Sequence, residues 1–478
     1  MTQDTRHAAP AEVAASEADE RVKSYGRGAA ILSVGIGITG LVTYAYFALA
    51  SHKLSSHDYG AITLLWSTIF IIVSVLYRPV EQMLSRTISD RDVRGQTGHE
   101  HLRVAVTIQL VLGILFAVVA LALHHPLKDK LLGGSATLYW VLIGAVLGYA
   151  ASYFARGFLA GHRRFGLYGG LVFMEAISRF AFAFVVAIGL FSGQSVVALG
   201  MVAAPLLSLS VVPWALRRSL KRADRPAQRS DDALIAAELD AASAVEPTAE
   251  TGPGGEPEFT LSHGTGFAAA VLLIMISEQT FLNAGPLLVK ATEGAAGSAV
   301  AGFVFNALLI ARAPLQLFQA IQTSILPSLT RMAVSGEDDP FRRSVRITLF
   351  AIAVFGGCVA LGFLALGPWA MHILFGGSHH YARGGLVVVA VGMGVYLSAA
   401  TLNQAALAQA RAREAAIAWV CTAAAFVAYL AIPWGWHDRV LQVEFGYLGA
   451  ATLLCLLLYG LYRRPVAVAA GAPASSSS

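Results

Sequence analysis

The chain has 478 residues, 56% of them hydrophobic and only 13% charged, with a mean hydropathy of +0.63. That balance excludes a water-soluble globular fold and predicts a polytopic membrane protein. The net charge of +5 follows from basic residues gathered on one face of the membrane, and it does not indicate a nucleic-acid partner.

Residues 1–27 are rich in Ala, Glu, Asp and Thr, offer little to bury, and read as a disordered cytoplasmic tail. No cleavable signal is expected ahead of the first span, which should stay as an anchor. A helix needs about 20 apolar residues at 1.5 Å each to cross a core of about 30 Å. Twelve segments qualify. Six run from Gly28 to Ala50, Tyr59 to Val80, Val104 to Leu123, Leu138 to Leu159, Leu167 to Phe191 and Gln194 to Trp214. Six more run from Gly264 to Val289, Ser298 to Leu326, Ser344 to Leu366, Gly384 to Gln409, Ala415 to Ile432 and Phe445 to Tyr462. The expected fold is therefore all-α, with two six-helix bundles at 28–214 and 263–462. A cytoplasmic linker at 215–262, too poor in aromatic and branched residues to build a core, joins them, and a second disordered tail follows at 463–478. Both halves enter the membrane in the same orientation, so they form a parallel pseudo-repeat about an axis along the membrane normal. Aligning Gly60 with Gly302 pairs the second and eighth spans on their apolar pattern.

Alternate connections and the termini hold 23 Lys and Arg, against 6 in the opposite set. Excess basic residues stay in the cytoplasm, so both termini are expected there, in the inner membrane of the cell, with the turn at Leu54 facing out. In the first span Ser33, Gly37, Gly40 and Tyr44 read as a helix-packing seam. The second carries Thr63, Ser67, Ser74, Arg78, Gln82 and Ser85 on one face, facing either a packing seam or a polar interior. Outer loops are short, the longest running from Gly367 to Arg383. Cys358, Cys421 and Cys455 lie in apolar spans without metal-like spacing and read as core packing. The histidines of the outer face lack the spacing of a metal site.

Each charge at mid-bilayer costs about 3 kcal/mol on insertion scales, so charges within spans must face an interior or reach the headgroups. Arg78, Arg156 and Arg346 lie near the cytoplasmic ends, where snorkelling also accounts for them. Glu175, Arg179, Glu278 and Arg312 lie deep. Glu175 and Arg179 stand at i, i+4 in the order that favours an ion pair. Glu278 has no polar neighbour on its own face, so it either meets an arginine elsewhere or titrates, which makes it the foremost ion-coupling residue ahead of Glu175. On the eighth span Arg312, Gln316, Gln319 and Thr323 share one face beside Pro314. Their amides suit sugar hydroxyls or interhelical bonding. An interior lined with arginine suits an anionic phosphate headgroup.

The turn Leu54 to Gly60 resembles the first-loop pattern of polysaccharide and O-antigen flippases, which move lipid-linked oligosaccharides and belong to the multidrug/oligosaccharidyl-lipid/polysaccharide exporter superfamily. Similar likeness attaches to Ile325-Leu326-Pro327-Ser328-Leu329-Thr330-Arg331, to Leu374-Phe375-Gly376-Gly377 and to Asn403-Gln404-Ala405 through Arg411. At the start of the seventh span the family's acidic position is matched in charge and place only, by Glu278. The resemblance implies two bundles around a central cavity open alternately to either side. The expected function is then a flippase for an isoprenoid-pyrophosphate-linked glycan. Arg78, Arg156, Arg179, Arg312, Gln316 and Gln319 would bind substrate, and Glu278 or Glu175 would couple a proton or sodium ion. Such a protein is a transporter and not an enzyme, needs no cofactor or metal, and works as a monomer among membrane lipids beside the glycan assembly enzymes. A cation-coupled drug or metabolite antiporter of the same superfamily is the alternative. A membrane glycosyltransferase would need a sizeable outer loop for its acid and base, and the sequence has none.

Overall fold

The computed structural model describes residues 37–93, 100–162, 164–210, 261–294, 296–310, 338–376, 381–409, 411–432 and 438–464. The first tail, the linker up to residue 260 and the last tail from residue 465 lie outside the described residues, as do Arg312, Gln316 and Gln319.

The regular structure of the described residues is helical, with short turns between the helices. Before the linker come α1 (37–53), α2 (Ser56–Leu76), α3 (Arg78–Val93), α4 (Glu100–Ala122), α5 (Ala136–Gly161), α6 (Phe165–Ala187) and α7 (Gln194–Ser208). After it come α8 (Leu261–Glu293), α9 (Gly297–Ile310), α10 (Asp338–Phe375), α11 (Arg383–Ala408), α12 (Ala412–Ala431) and α13 (Arg439–Arg463). Among the described residues nine helical stretches are long and apolar enough to cross a membrane. Two shorter apolar helices, α7 and α9, and the helix α1 complete two sets of six. The fold is the expected pair of six-helix bundles.

Local chemistry sets the helix ends. The side chain of Ser55 accepts from the Asp58 N–H at 3.1 Å, so the polar turn after Leu54 is the cap of α2. Ser135 caps α5 in the same way, and Asp438 caps α13 through the N–H groups of Val440 and Leu441. The α2 ladder ends at Tyr77, and Pro79, which has no N–H to give, starts the next helix at no loss. Helices α2 and α3 together form one apolar arm from Ser56 to Ile88, longer than the span expected to end at Val80. Helix α10 runs 38 residues to Phe375 and stops at Gly376, whose φ of 80° closes the helix in the left-handed region. The loop expected from Gly367 to Arg383 is thus mostly helix.

Close backbone contacts hold each bundle together. A Cβ on Gly157 would lie 2.8 Å from the Glu81 carbonyl oxygen, which locks α5 against α3. Gly356 and Gly394 bring α10 and α11 together, with a Cβ on the former 3.2 Å from the Cα of the latter. Helix α10 packs chiefly on α11, and its other sides expose Phe350, Leu361 and Trp369. Similar exposed rows on α4, such as Leu110, Ile114 and Val118, form the lipid-facing belt of a multi-pass membrane protein. Cys358 and Cys421 are exposed in that belt, which corrects their reading as core packing, whereas Cys455 is partly buried against the core as expected. A cysteine is apolar enough for lipid as well as for a core, and composition does not separate the two.

The halves meet where α2 packs on α8 and α9 near the Leu54 turn. A Cβ on Gly60 would sit 1.7 Å from the Ser298 carbonyl oxygen, and one on Gly302 would sit 3.2 Å from the Gly60 Cα. The two glycines that align between the halves therefore abut. Tyr59 donates its hydroxyl hydrogen to Asn306 Oδ1, Asn306 Nδ2 donates to the Tyr381 hydroxyl at 3.1 Å, and Tyr44 donates to the Leu309 carbonyl. The contacts of Gly60, Tyr59 and Asn306 close the halves over the Leu54 end, and the Tyr44–Leu309 bond lies deeper, at the cavity.

Candidate functional site: a cavity between the halves

Away from that seal the halves enclose a cavity of about 400 Å³. The first half supplies the polar row of the α2–α3 arm, namely Ser74, Arg78, Glu81 and Gln82, below a wall of Trp66 and Phe70. Tyr153 and Arg156 of α5 and Tyr168 of α6 close one side. The second half contributes Gln279, Leu282, Asn283 and Leu309. Gly40, Thr43 and Tyr44 of α1 also line the space, so the supposed packing seam of the first span is in part a cavity wall. Small residues at helical spacing serve either purpose, and only the neighbour decides.

Every arginine at this cavity has an acidic counterpart. Arg156 pairs with Glu175, which also accepts from the Ser152 hydroxyl, and the two side chains are 11% and 3% exposed. The Arg156 guanidinium lies 4.5 Å from the centroid of the Tyr153 ring. Arg78 lies in the field of two carboxylates, Glu278 of the opposite half and Glu81 one turn along its own helix. Glu81 in turn accepts from the Tyr168 hydroxyl at 3.1 Å. The expected i, i+4 pair between Glu175 and Arg179 is absent. Its carboxylate is taken by Arg156 and Ser152 on α5, which stands directly against α6. Helical spacing makes a pair available, and a neighbouring helix with a better-placed donor displaces it.

Arg179 instead donates to the Tyr149 hydroxyl at 2.6 Å, lies 4.9 Å from the Trp66 ring centroid, and is 5% exposed. Trp66 and Phe70 stack with centroids 4.2 Å apart and divide Arg179 and its narrow crevice from the main cavity. Thus the structure brings Arg78, Arg156 and Glu175 together with Glu278 and leaves Arg179 behind an aromatic wall. Arg346 is exposed. Among the described residues no group of three or more His, Cys, Asp or Glu side chains could hold a metal ion.

Sequence reasoning missed Glu81 and the aromatic lining. Glu81 was placed in a cytoplasmic connection because the arm appeared to end at Val80. Its i, i+3 spacing from Arg78 was the available signal. Tyr153, Arg156 and Tyr168 approach from two further helices, a convergence that no single-helix pattern encodes.

No family model matches the chain. Two uncharacterised proteins of Mycobacterium tuberculosis, from strains CDC 1551 / Oshkosh and ATCC 25618 / H37Rv, are 25% identical over 421 residues, covering 84% of this chain and 85% of theirs. Among solved structures the chain is similar to the Vibrio cholerae MATE transporter VcmN in its bent form, with a TM-score of 0.55, 16% identity and coverage of 93% and 98%. It is also similar to the eukaryotic MATE transporter AtDTX14, with a TM-score of 0.59, 13% identity and coverage of 92% and 95%. A multidrug resistance MATE family transporter of the MOP superfamily in its inward-facing conformation gives 0.56, 13% identity and coverage of 90% and 98%. At these identities the likeness establishes a shared fold.

Proposed function

We propose that this chain is a transporter that moves an amphiphilic organic solute across the cell membrane by alternating access, coupled to a proton or sodium ion. The carrying observation is that acid offsets the cavity arginines: Arg156 is ion-paired with Glu175, and Arg78 lies in the field of Glu278 and Glu81. Unpaired arginines would repel an organic cation; offset by these carboxylates, they do not. What remains facing the solute is aromatic, with Tyr44, Trp66, Phe70, Tyr153 and Tyr168, and carries the extra carboxylate Glu81. Rings and a carboxylate favour a flat organic cation, through quadrupole attraction and charge. The volume is that of one drug-sized ligand. The fold shared with multidrug MATE transporters supports the same reading.

With cytoplasmic termini, as the distribution of basic residues indicates, the sealed Leu54 end faces outward and the cavity faces inward. Glu278, whose charge acts on Arg78 across the halves, is the coupling carboxylate: when it takes up an ion, the attraction between the halves at this level weakens. Function as a monomer in the inner membrane belongs to the same proposal.

A second reading keeps the lipid-linked oligosaccharide flippase, because Arg78 and Arg156 do line the cavity and would meet a pyrophosphate there. Competition on the purified protein separates the two. Quenching of Trp66 by a cationic dye, weakened at least tenfold in Glu81→Gln and unaffected by isoprenoid diphosphate, supports the first. Displacement of the dye by isoprenoid diphosphate, lost in Arg78→Ala, supports the second. Failure of both ligands to bind refutes the cavity as a substrate site.

A further inference from the structure

Glu444, on the second turn of α13, is a buried carboxylate that the cavity does not use. It is 3% exposed, and its Oε2 has no hydrogen-bond partner. Gly385 of α11 presses against this oxygen so closely that a Cβ there would lie 1.9 Å from it. The carboxylate therefore rests on a backbone CH group in a space too small for water. Among the described residues none forms an ion pair with it: Arg439, the nearest cation in sequence, is taken by Glu293 at 3.1 Å and by Gln442 at 2.6 Å. Asp438, the cap of its own helix, acts on it, and its charge acts in turn on Tyr381, which stands one turn ahead of Gly385. Burial holds the Tyr381 phenol well above its ordinary value, and the Glu444 charge pushes it further the same way.

Tyr381 is also the last member of the chain that seals the Leu54 end, since it accepts from Asn306, which accepts from Tyr59 of the other half. We propose that Glu444 is a proton-binding site whose charge state is read by this Tyr381–Asn306–Tyr59 latch. Protonated, the carboxyl is neutral and tolerates the dry contact with Gly385, and the latch holds. Ionised, it needs water or a donor, draws on the Tyr381 hydroxyl, and loosens the latch. The proton passes to and from solvent at the Leu54 end, and no co-reactant is involved. The site is separate from Glu278 and independent of which solute the cavity accepts.

The test uses the full chain in nanodiscs, with the three native cysteines replaced and spin labels on His57→Cys and Ala296→Cys, both on exposed positions flanking the Gly60–Ser298 contact. Raising the pH should convert a single short interlabel distance into a mixture with a longer one, and Glu444→Gln should abolish that conversion and hold the short distance throughout. Infrared difference spectra should show a protonated-carboxyl band that titrates over the same range and is missing from Glu444→Gln. Tyr381→Phe should keep the band and uncouple the distance from it. A pH-driven distance change that survives Glu444→Gln, a distance indifferent to pH with Glu444 present, or the lack of a Glu444-dependent band would each overturn the proposal.

Discussion

Gly60→Ala should pry the sealed end open. The new methyl carbon would stand 1.7 Å from the Ser298 carbonyl oxygen and 2.4 Å from its carbon, where ordinary contact begins at 3.4 Å. Both obstacles are backbone atoms, so no side-chain rotation relieves the clash and the halves must part by about the 1.7 Å difference. Overpacking of this kind costs about 1–3 kcal/mol, which lowers the ratio of sealed to open molecules by about 5- to 150-fold. The gain in helix propensity, about 0.5–1 kcal/mol, acts on both states alike and leaves the ratio untouched. Ser74→Cys places a thiol in the cavity. In oriented proteoliposomes a membrane-impermeant maleimide added at the Leu54 side should modify it slowly in the parent and many times faster with Gly60→Ala. Gly302→Ala, with contacts at 3.1 and 3.2 Å, should have a smaller effect, and Gly449→Ala, with nothing within 4 Å, none. Unchanged access with Gly60→Ala would refute the assignment of this contact as the seal.

The remaining predictions concern single contacts. Glu175→Gln strands the Arg156 guanidinium in a nearly dry site and should cost about 3–5 kcal/mol in thermal unfolding, whereas replacing both partners by apolar residues of similar volume should recover most of it; equal losses in the two variants would contradict the buried pair. Tyr149→Phe removes the Arg179 acceptor and should cost about 1.5–3 kcal/mol in the same assay. Asn306→Ala breaks the link between Tyr59 and Tyr381, and Ser74→Cys should then become reactive from the Leu54 side, as with Gly60→Ala. Cys358 and Cys421 should react with a lipid-soluble maleimide and resist a charged one, as intact-protein mass will show.

Helices and bundles were legible from composition because lipid makes one demand on every span, about 20 apolar residues with satisfied backbone. Arg78, Arg156, Glu175 and Glu278 could be singled out because a charge in such a span needs a reason. Their partners could not. The Glu175–Arg156 pair joins α5 to α6 and the Arg78–Glu278 attraction acts between the two halves, and neither separation has a period. Boundaries failed where polar residues are buried: Glu81 and Glu444 were assigned to connections because a carboxylate ends an apolar run in sequence but not in space. The Asp438 cap was the visible sign that α13 begins before Phe445. Gly60 and Gly302, aligned only as a guess at the repeat, turn out to touch, since equivalent positions near a pseudo-twofold axis must meet.

Helix α10 extends 38 residues, about 57 Å at 1.5 Å per residue, against a hydrocarbon thickness of about 30 Å. Among the described residues it packs chiefly on one neighbour, through glycines that leave the backbones smooth, and exposes Phe350, Leu361 and Trp369 to lipid. Such a rod takes its inclination from the bilayer. Thinner or thicker membranes will swing it along the Gly356–Gly394 track and drag α11, the helix that carries Gly385, so acyl-chain length becomes a control on the machine from outside, without any ligand.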